Sequence, residues 1–279
     1  MANKKVYEIV TEKMIERLEK GDIPWRRPWV GEGAVSWAEQ RPYRGINALL
    51  LEPGEYATFN QISKNGGKVK KGQKGHLVVF WKWIEIEEED EETGETTKKN
   101  IPFLRYYKVF EINSQVEGLD SKRKEEKFEH DPIEQAEKVV ELYSDKPPIK
   151  KAPGRAFYRP SSDEVSVPDI EDFPHPDEYY SVLFHELVHS TGHEDRLNRV
   201  GIKEASFGSE VYSKEELIAE IGAAMLCGVT GISNERNQEN SAAYLRSWIS
   251  KLKDDSRLIV QAAAQAQKAA DWVQGQKGQ

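Results

Sequence analysis

The sequence predicts an α+β protein with a basic, strand-bearing front and an acidic, helical back. Three observations carry this. β-Branched and aromatic residues concentrate in 76–87 and 101–112, as strands require. Helical periodicity dominates after residue 132. Charge also reverses along the chain: residues 1–84 hold 15 Lys and Arg against 9 Asp and Glu, while the other 195 residues hold 25 against 39. At 279 residues the chain is about twice the ~150-residue guide for one domain, so two domains are expected, 1–125 and 126–279.

Taken in order, 4–20 reads as an amphipathic helix, with Val6, Val10, Met14 and Leu18 at spacing four and Gly21 ending it. The prolines of Asp22-Ile-Pro-Trp-Arg-Arg-Pro-Trp29 make the next segment an irregular loop. A short helix is expected within 56–63, then a turn at Gly66-Gly67. Strands over 76–87 and 101–112 follow, joined by a long, acidic and then polar hairpin connection over 88–100. The polar stretch 114–129 reads as a linker. Beyond it, helices are expected over 132–143, 179–192 and 214–228, with two more in 240–273 divided near Asp254-Asp255-Ser256. A hairpin is expected at 158–168, with Phe157 and Tyr158 facing Val165 and Val167.

Composition excludes several classes. Thirty-eight per cent hydrophobic residues can fill real cores. No stretch approaches the roughly 18 apolar residues of a membrane span, and Met-Ala-Asn-Lys-Lys leads into no apolar signal core. The single Cys227 can form neither an internal disulfide nor a cysteine-based zinc site. A cytoplasmic protein without a membrane partner is expected.

The sharpest motif is His185-Glu186-Leu187-Val188-His189. On a helix the two imidazoles lie one turn apart and can grip one metal ion, while Glu186 can take a proton from a metal-bound water. Chance supplies H-E-x-x-H in about 1% of chains of this length, so the spacing outweighs the bland alternative of two surface histidines. A catalytic zinc needs a third protein ligand and an open position. The extended pattern with a third His ten residues after the first is absent, since Gly192 and His193 fall at seven and eight. The third ligand is therefore sought in Lys214-Glu-Glu-Leu-Ile-Ala-Glu-Ile-Gly-Ala-Ala224. Glu216 is assigned as ligand and Glu220 as the carboxylate that orients a ligating His, with the exchange of the two left open. Glu215, on the adjacent face, reads as plain helix solvation. The small Ala223 would let two helices approach closely. His193 is a supporting hydrogen-bonder, an oxyanion aid or a structural cap after Gly192. Two His and one Glu favour Zn2+, and Mn2+ is also accepted. The reaction class is hydrolysis of a peptide bond.

Residues 60–84 carry six lysines and no acid, and five of the seven tryptophans (Trp25, Trp29, Trp37, Trp81 and Trp83) lie in the first 84 residues. Aromatics interleaved with Arg and Lys are what single-stranded nucleic-acid binders use, bases stacking on the rings and phosphates tracking the cations. The alternative is that some of these tryptophans fill a small core; for Trp81 and Trp83, on a strand, one side is expected to pack and the other to be exposed.

Several motifs together resemble the ArdC-type antirestriction proteins, whose front domain also begins the TraC-type primases of conjugative plasmids. In the front these are Ile23-Pro-Trp-Arg-Arg-Pro-Trp29, Tyr43-Arg-Gly-Ile-Asn47, Thr58-Phe-Asn-Gln61 and the Gly66-Gly67 to Lys74-Gly75 run. In the back they are Phe184 to His193, Phe207-Gly-Ser-Glu210, Glu215 to Ala224 and Tyr244-Leu-x-x-Trp248 with Lys253-Asp-Asp. The acidic segment 87–95 matches no pattern of the family. The resemblance implies a small α+β single-stranded DNA-binding domain followed by a zincin-like metallopeptidase domain, in a mobile-element protein that shields incoming DNA from restriction. Carried over by position, it implies His185, His189 and Glu216 as metal ligands and Glu186 as base. For DNA it points to Trp25, Arg26, Arg27, Trp29, Arg44, Asn47, Lys71 and Lys74. The implied partners are single-stranded DNA and a DNA-bound or restriction-related protein substrate; the alternative is a DNA shield whose metal site is structural or vestigial.

Overall fold

The structure is a computed structural model and describes residues 2–25, 33–89, 96–123, 132–152, 154, 156–199, 210–232 and 242–276. It opens with helix α1 (Ala2–Glu19). Strand β1 (Ala34–Ser36), short helix α2 (Ile46–Leu50), β2 (Gly54–Thr58), α3 (Phe59–Lys64) and β3 (Lys68–Val69) follow. A capping box starts α3: the Thr58 hydroxyl accepts from the Gln61 N–H, and the Gln61 side chain accepts from the Thr58 N–H.

Strands β4 (His76–Glu89) and β5 (Thr96–Glu111) form a long antiparallel hairpin. Its register runs without a break from His76↔Val109 to Glu89↔Thr96, so the expected connection over 88–100 is mostly strand, and only 90–95 lie outside the described residues. Hydrophobicity marked where strand packing begins, whereas ladder hydrogen bonds between arms already in register extend through polar residues too. The sheet order is β1-β2-β5-β4, with β1 and β2 parallel and the other pairs antiparallel.

The expected linker is likewise part of the fold at its start. Helix α4 (Ile112–Gln115) and β6 (Val116–Glu117) pair the chain back onto β3. Buried Glu55 then fastens 121–122, accepting from the Ser121 hydroxyl at 2.5 Å and the Lys122 N–H at 2.8 Å. A polar composition concealed a segment held by side-chain hydrogen bonds.

Among the described residues, the back comprises α5 (Pro132–Leu142), a three-stranded sheet, a 3-10 turn (Ile170–Asp172) and four further α-helices. In the sheet, β7 (Ile149–Lys151) runs parallel to the central β9 (Glu164–Val167), and β8 (Phe157–Arg159) runs antiparallel to it. The helices are α6 (Pro176–Ser190), α7 (Glu210–Thr230), α8 (Ala242–Asp254) and α9 (Leu258–Val273). No helix among the described residues is long and apolar enough to cross a membrane.

Front and back share one hydrophobic core. Helix α1 sets Val10, Met14 and Leu18, all fully buried, against Leu77, Val79 and Leu104 of the hairpin on one side and the α8–α9 pair on the other. Each such side chain stabilises by roughly 1.5–3 kcal/mol. The Thr11 hydroxyl donates to the Ser256 carbonyl at 2.7 Å, adding a polar tie between the halves. Two segments of sequence therefore fold around a common interior.

Candidate functional site

Helix α6 starts at Pro176, whose fixed φ suits the first helical position, and Asp177 and Glu178 complement its N-terminal dipole. Tyr180, Leu183, Phe184, Leu187 and Val188 bury one side of it, leaving His185 and His189 on the neighbouring side facing α7. The two helices touch closely at Gly222: a Cβ there would lie 2.9 Å from both Val188 methyl groups. Close approach was expected of Ala223, which is buried, but it is Gly222 that has no room for a side chain.

That contact brings Glu216 to the histidines. His185 Nε2 and His189 Nε2 stand 3.1 Å apart, Glu216 Oε2 lies 3.6 Å from His185 Nε2, and Glu216 Oε1 lies 3.5 Å from His189 Nε2. Tetrahedral ligands on bonds of about 2.0–2.1 Å would stand ~3.3 Å from one another, so the three residues fit a divalent ion. His185 and Glu216 keep a quarter to a third of their side chains exposed, which leaves one side open to water and substrate. Glu186 beside them is buried. Burial pulls the His185 pKa down, but the hydrogen bond to Glu216 and the charges of Glu186, Glu220 and Glu216 outweigh it and hold the pKa above the usual histidine value.

Glu215 corrects the sequence reading. It is buried, not a solvated surface acid. One carboxylate oxygen lies 3.4 Å from His189 Nδ1, on the side of the ring away from the candidate metal position. Arg199 donates to both oxygens, from Nε at 3.0 Å and Nη2 at 2.5 Å. Burial alone would raise the Glu215 pKa; His189 and Arg199 hold it at about 2. The same guanidinium donates to the Thr191 hydroxyl at 2.7 Å and to the Val188 carbonyl at 2.9 Å, a carbonyl at the end of α6 that also accepts from the Thr191 N–H and hydroxyl. Arg196 donates to the Ser190 carbonyl at 2.8 Å, which also accepts the His193 N–H at 3.1 Å. The signal available in the sequence was the adjacency of Glu215 to Glu216: in a helix, neighbouring residues point about 100° apart, enough for one to meet the ligand face and the other the back of His189.

His193, expected near the metal or as a cap, serves the turn after α6. Its Nδ1 accepts the Asp195 N–H at 3.3 Å, and its carbonyl accepts the N–H groups of Arg196 and Asn198. Glu220 contributes charge at His185, whereas the carboxylate facing a ligating imidazole's far nitrogen is that of Glu215.

The expected DNA-binding residues divide. Trp25 is fully buried, edge-on to Trp248 with ring centroids 6.0 Å apart, so it presents no face to a base. It belongs to the core shared by front and back. Asn47 is also structural: its amide donates to the Val79 carbonyl at 2.7 Å and accepts from the Val79 N–H at 2.8 Å, pinning α2 to β4. Arg44 is half-exposed and paired with Asp271. Lys71 and Lys74 are exposed in the turn before β4. Arg26, Arg27 and Trp29 lie outside the described residues, as do most of the Phe207–Glu210 motif and the Trp83 side chain. Trp37, another of the five front tryptophans, is buried, with its indole N–H donating to the Asp120 carbonyl at 2.9 Å and Lys122 over its ring. Trp81 stays 47% exposed.

Comparison with known proteins agrees with this architecture. Residues 4–110 match the family model of the N-terminal domain of anti-restriction factor ArdC, and residues 134–265 match that of a zincin-like metallopeptidase. A protein of Sinorhizobium fredii called y4eC is 34% identical over 290 residues, covering 98% of this chain and 92% of its own length. A DNA primase TraC of Escherichia coli is 34% identical over 97% of this chain, which spans only 20% of the primase's length. The crystal structure of the antirestriction ArdC protein from the R388 plasmid superposes with a TM-score of 0.74 at 37% identity in its metal-free form. Its Mn(II)-bound form gives 0.75 at 34%, and both cover 97% of each chain. With an ArdC-type front, a zincin-like back and three ligands placed for a divalent metal, the chain belongs to the ArdC-type antirestriction family.

Proposed function

We propose that this protein is an antirestriction factor of a mobile element, which binds single-stranded DNA in the cytoplasm and hydrolyses a peptide bond in a protein met on that DNA. One observation carries the enzymatic part. His185, His189 and Glu216 suffice to hold a divalent ion, and Glu186 lies beside them on α6 without being needed as a ligand. Two imidazoles, one carboxylate and an open side favour zinc, with manganese, the ion bound in the R388 ArdC relative, as the alternative. When bound, such an ion polarises a carbonyl and acidifies a water. Glu186 removes the proton from the attacking water and later gives it to the leaving amine. Glu215, anchored by Arg199, fixes the ring of His189, and Glu220 is assigned the corresponding role for His185. The antirestriction role is supported by the named function of the R388 ArdC relative, and the DNA role by the match of residues 4–110 and by exposed Lys71 and Lys74.

The test is protection of incoming DNA against restriction in cells carrying wild type or Glu186→Gln. Loss of protection with metal and DNA binding intact is the expected result. Full protection by Glu186→Gln would overturn the peptidase reading and leave a DNA shield.

A further inference from the structure

If Trp25 cannot stack on a base, a strand that binds here must find other rings. The hairpin β4–β5 supplies them. Residues paired across it share a face, so His76/Val109, Val78/Tyr107, Phe80/Arg105 and Lys82/Phe103 line one side. The opposite side packs Leu77, Val79 and Leu104 against α1 and also carries Trp81 and Tyr106, each 47% exposed. On the uncovered side, Val78 and Val109 pack beneath Tyr43 and Tyr56, but farther out the face is open. Phe80 is 40% exposed and Tyr107 37%, with ring centroids 5.5 Å apart. The Arg105 guanidinium sits 5.3 Å above the Phe103 ring, and Lys82 is exposed next to it.

This row of rings leads somewhere. Burial and the neighbouring Tyr107 hydroxyl push the Tyr43 phenol pKa up, and the Tyr43 ring meets Tyr56 edge-on at 6.3 Å. Tyr43 in turn lines a cleft of about 390 Å3 between front and back, with Arg44, Gln40, Gln267 and Gln274 around it. Pockets of about 300–1,000 Å3 are the size that takes small ligands or single nucleotides.

We propose that single-stranded DNA lies across the open face of the hairpin, its bases stacking on Phe80 and Tyr107, and passes Tyr43 into this cleft. Charge selects a polyanion over an apolar protein partner: from His76 to Lys82 and from Phe103 to Val109 this face carries Lys82 and Arg105 and no acid. Phosphates that leave the rings meet Lys82 and Arg105 at one end; at the other, Arg44 is ion-paired with Asp271, which also lines the cleft. Exposed rings flanked by cations are the pattern that binds unpaired bases irrespective of sequence, because every base has a face to stack. The proposal rests on the single-stranded DNA reading above and gives it an address.

The experiment measures binding of fluorescent oligo(dT), and of a duplex of the same length, to the full chain at near-physiological salt. Phe80→Ala and Tyr107→Ala should each weaken oligo(dT) binding roughly 5- to 150-fold, the range for loss of one stacked base, and should affect duplex far less. Phe80→Trp and Tyr107→Phe should keep most of the affinity. Lys82→Gln and Arg105→Gln should each flatten the salt dependence by about 0.7 in log–log slope. Trp81→Ala, on the face toward α1, should leave binding unchanged; all these positions are exposed, so thermal melting should stay at the wild-type value. Wild type that fails to bind oligo(dT) would overturn the DNA reading and this site together. Wild type that binds while Phe80→Ala and Tyr107→Ala bind equally well, or a Trp81→Ala loss as large as theirs, would overturn the site alone.

Discussion

Replacing Gly222 by Ala tests whether the separation of α6 and α7 is what assembles the metal ligands. Two opposing effects are of known size. A helix-interior Gly→Ala change should stabilise by about 1 kcal/mol, since Ala loses less backbone entropy. The added Cβ, however, would stand 2.9 Å from both methyl groups of Val188. Val188 is fully buried, and its β-branched side chain has essentially one rotamer in a helix, so the strain must be relieved by the helices moving apart. Overpacking of this kind costs about 1–3 kcal/mol. The net expectation is a loss of about 1 kcal/mol, read in urea unfolding of the metal-free protein. Glu216 lies six residues from Gly222 on the same helix, 3.5–3.6 Å from the histidine nitrogens, so a shift of a few tenths of an ångström should also weaken metal binding. A fall of about tenfold is expected, the lower end for losing support around a metal ligand. Val188→Ala alone should cost about 2 kcal/mol for its cavity. In the double variant the methyl added at position 222 fills that space, so the two changes should couple favourably by at least ~0.5 kcal/mol. A Gly222→Ala protein more stable than wild type, with unaltered metal affinity and strict additivity, would refute the argument that this contact sets the site.

Other outcomes follow from the same geometry. Glu215→Gln should lower metal affinity about 10- to 100-fold in a competition titration, whereas Arg199→Met, which strands a buried carboxylate, should cost about 3–5 kcal/mol in unfolding. Because the folded-state pKa of Glu215 is depressed to about 2 from an ordinary 4.5, its contribution of about 3 kcal/mol is complete above pH 4.5 and lost as pH falls toward 2; Glu215→Gln should flatten the pH dependence of unfolding in that window. His185→Ala should release the metal while Glu186→Gln retains it, measured by elemental analysis after dialysis; equal loss would make Glu186 a ligand. Trp25→Ala should destabilise by about 3–5 kcal/mol, with no separate loss of DNA affinity in whatever fraction remains folded.

How much of this was legible depends on whether a feature is local. The H-E-x-x-H pair needs only helical spacing, and the helices of the back were visible from periodicity to within a few residues. Glu216 came from a pattern on a second helix and is where the structure places it, but the role of Glu215 depends on Arg199, 16 residues away and with no periodic signal of its own. The short strands β1, β2 and β7 went unseen because each has three to five residues and pairs with partners distant in sequence.

The tryptophans show the limit most clearly. Charge adds over a segment, so counting lysines found the basic front whatever its fold. Stacking needs an exposed face, and exposure is decided by what packs on top: α8 covers Trp25 with Trp248, while α1 covers one face of the hairpin and stops short of the other. Trp25, singled out for base stacking, and Trp37, counted with it among the tryptophans of the front, were therefore drawn into the core, as large aromatics usually are. Phe80 and Tyr107, inconspicuous in strands of alternating apolar residues, are among the rings left partly in solvent, as are Trp81 and Tyr106 on the other face of the hairpin. Helix α7 links that surface to the candidate metal site: along its first part Glu215 and Glu216 lie against the histidines and Gly222 against Val188, and Met225 and Val229 line the cleft below Tyr43. A strand seated in that cleft would lie against the same helix that holds the third metal ligand.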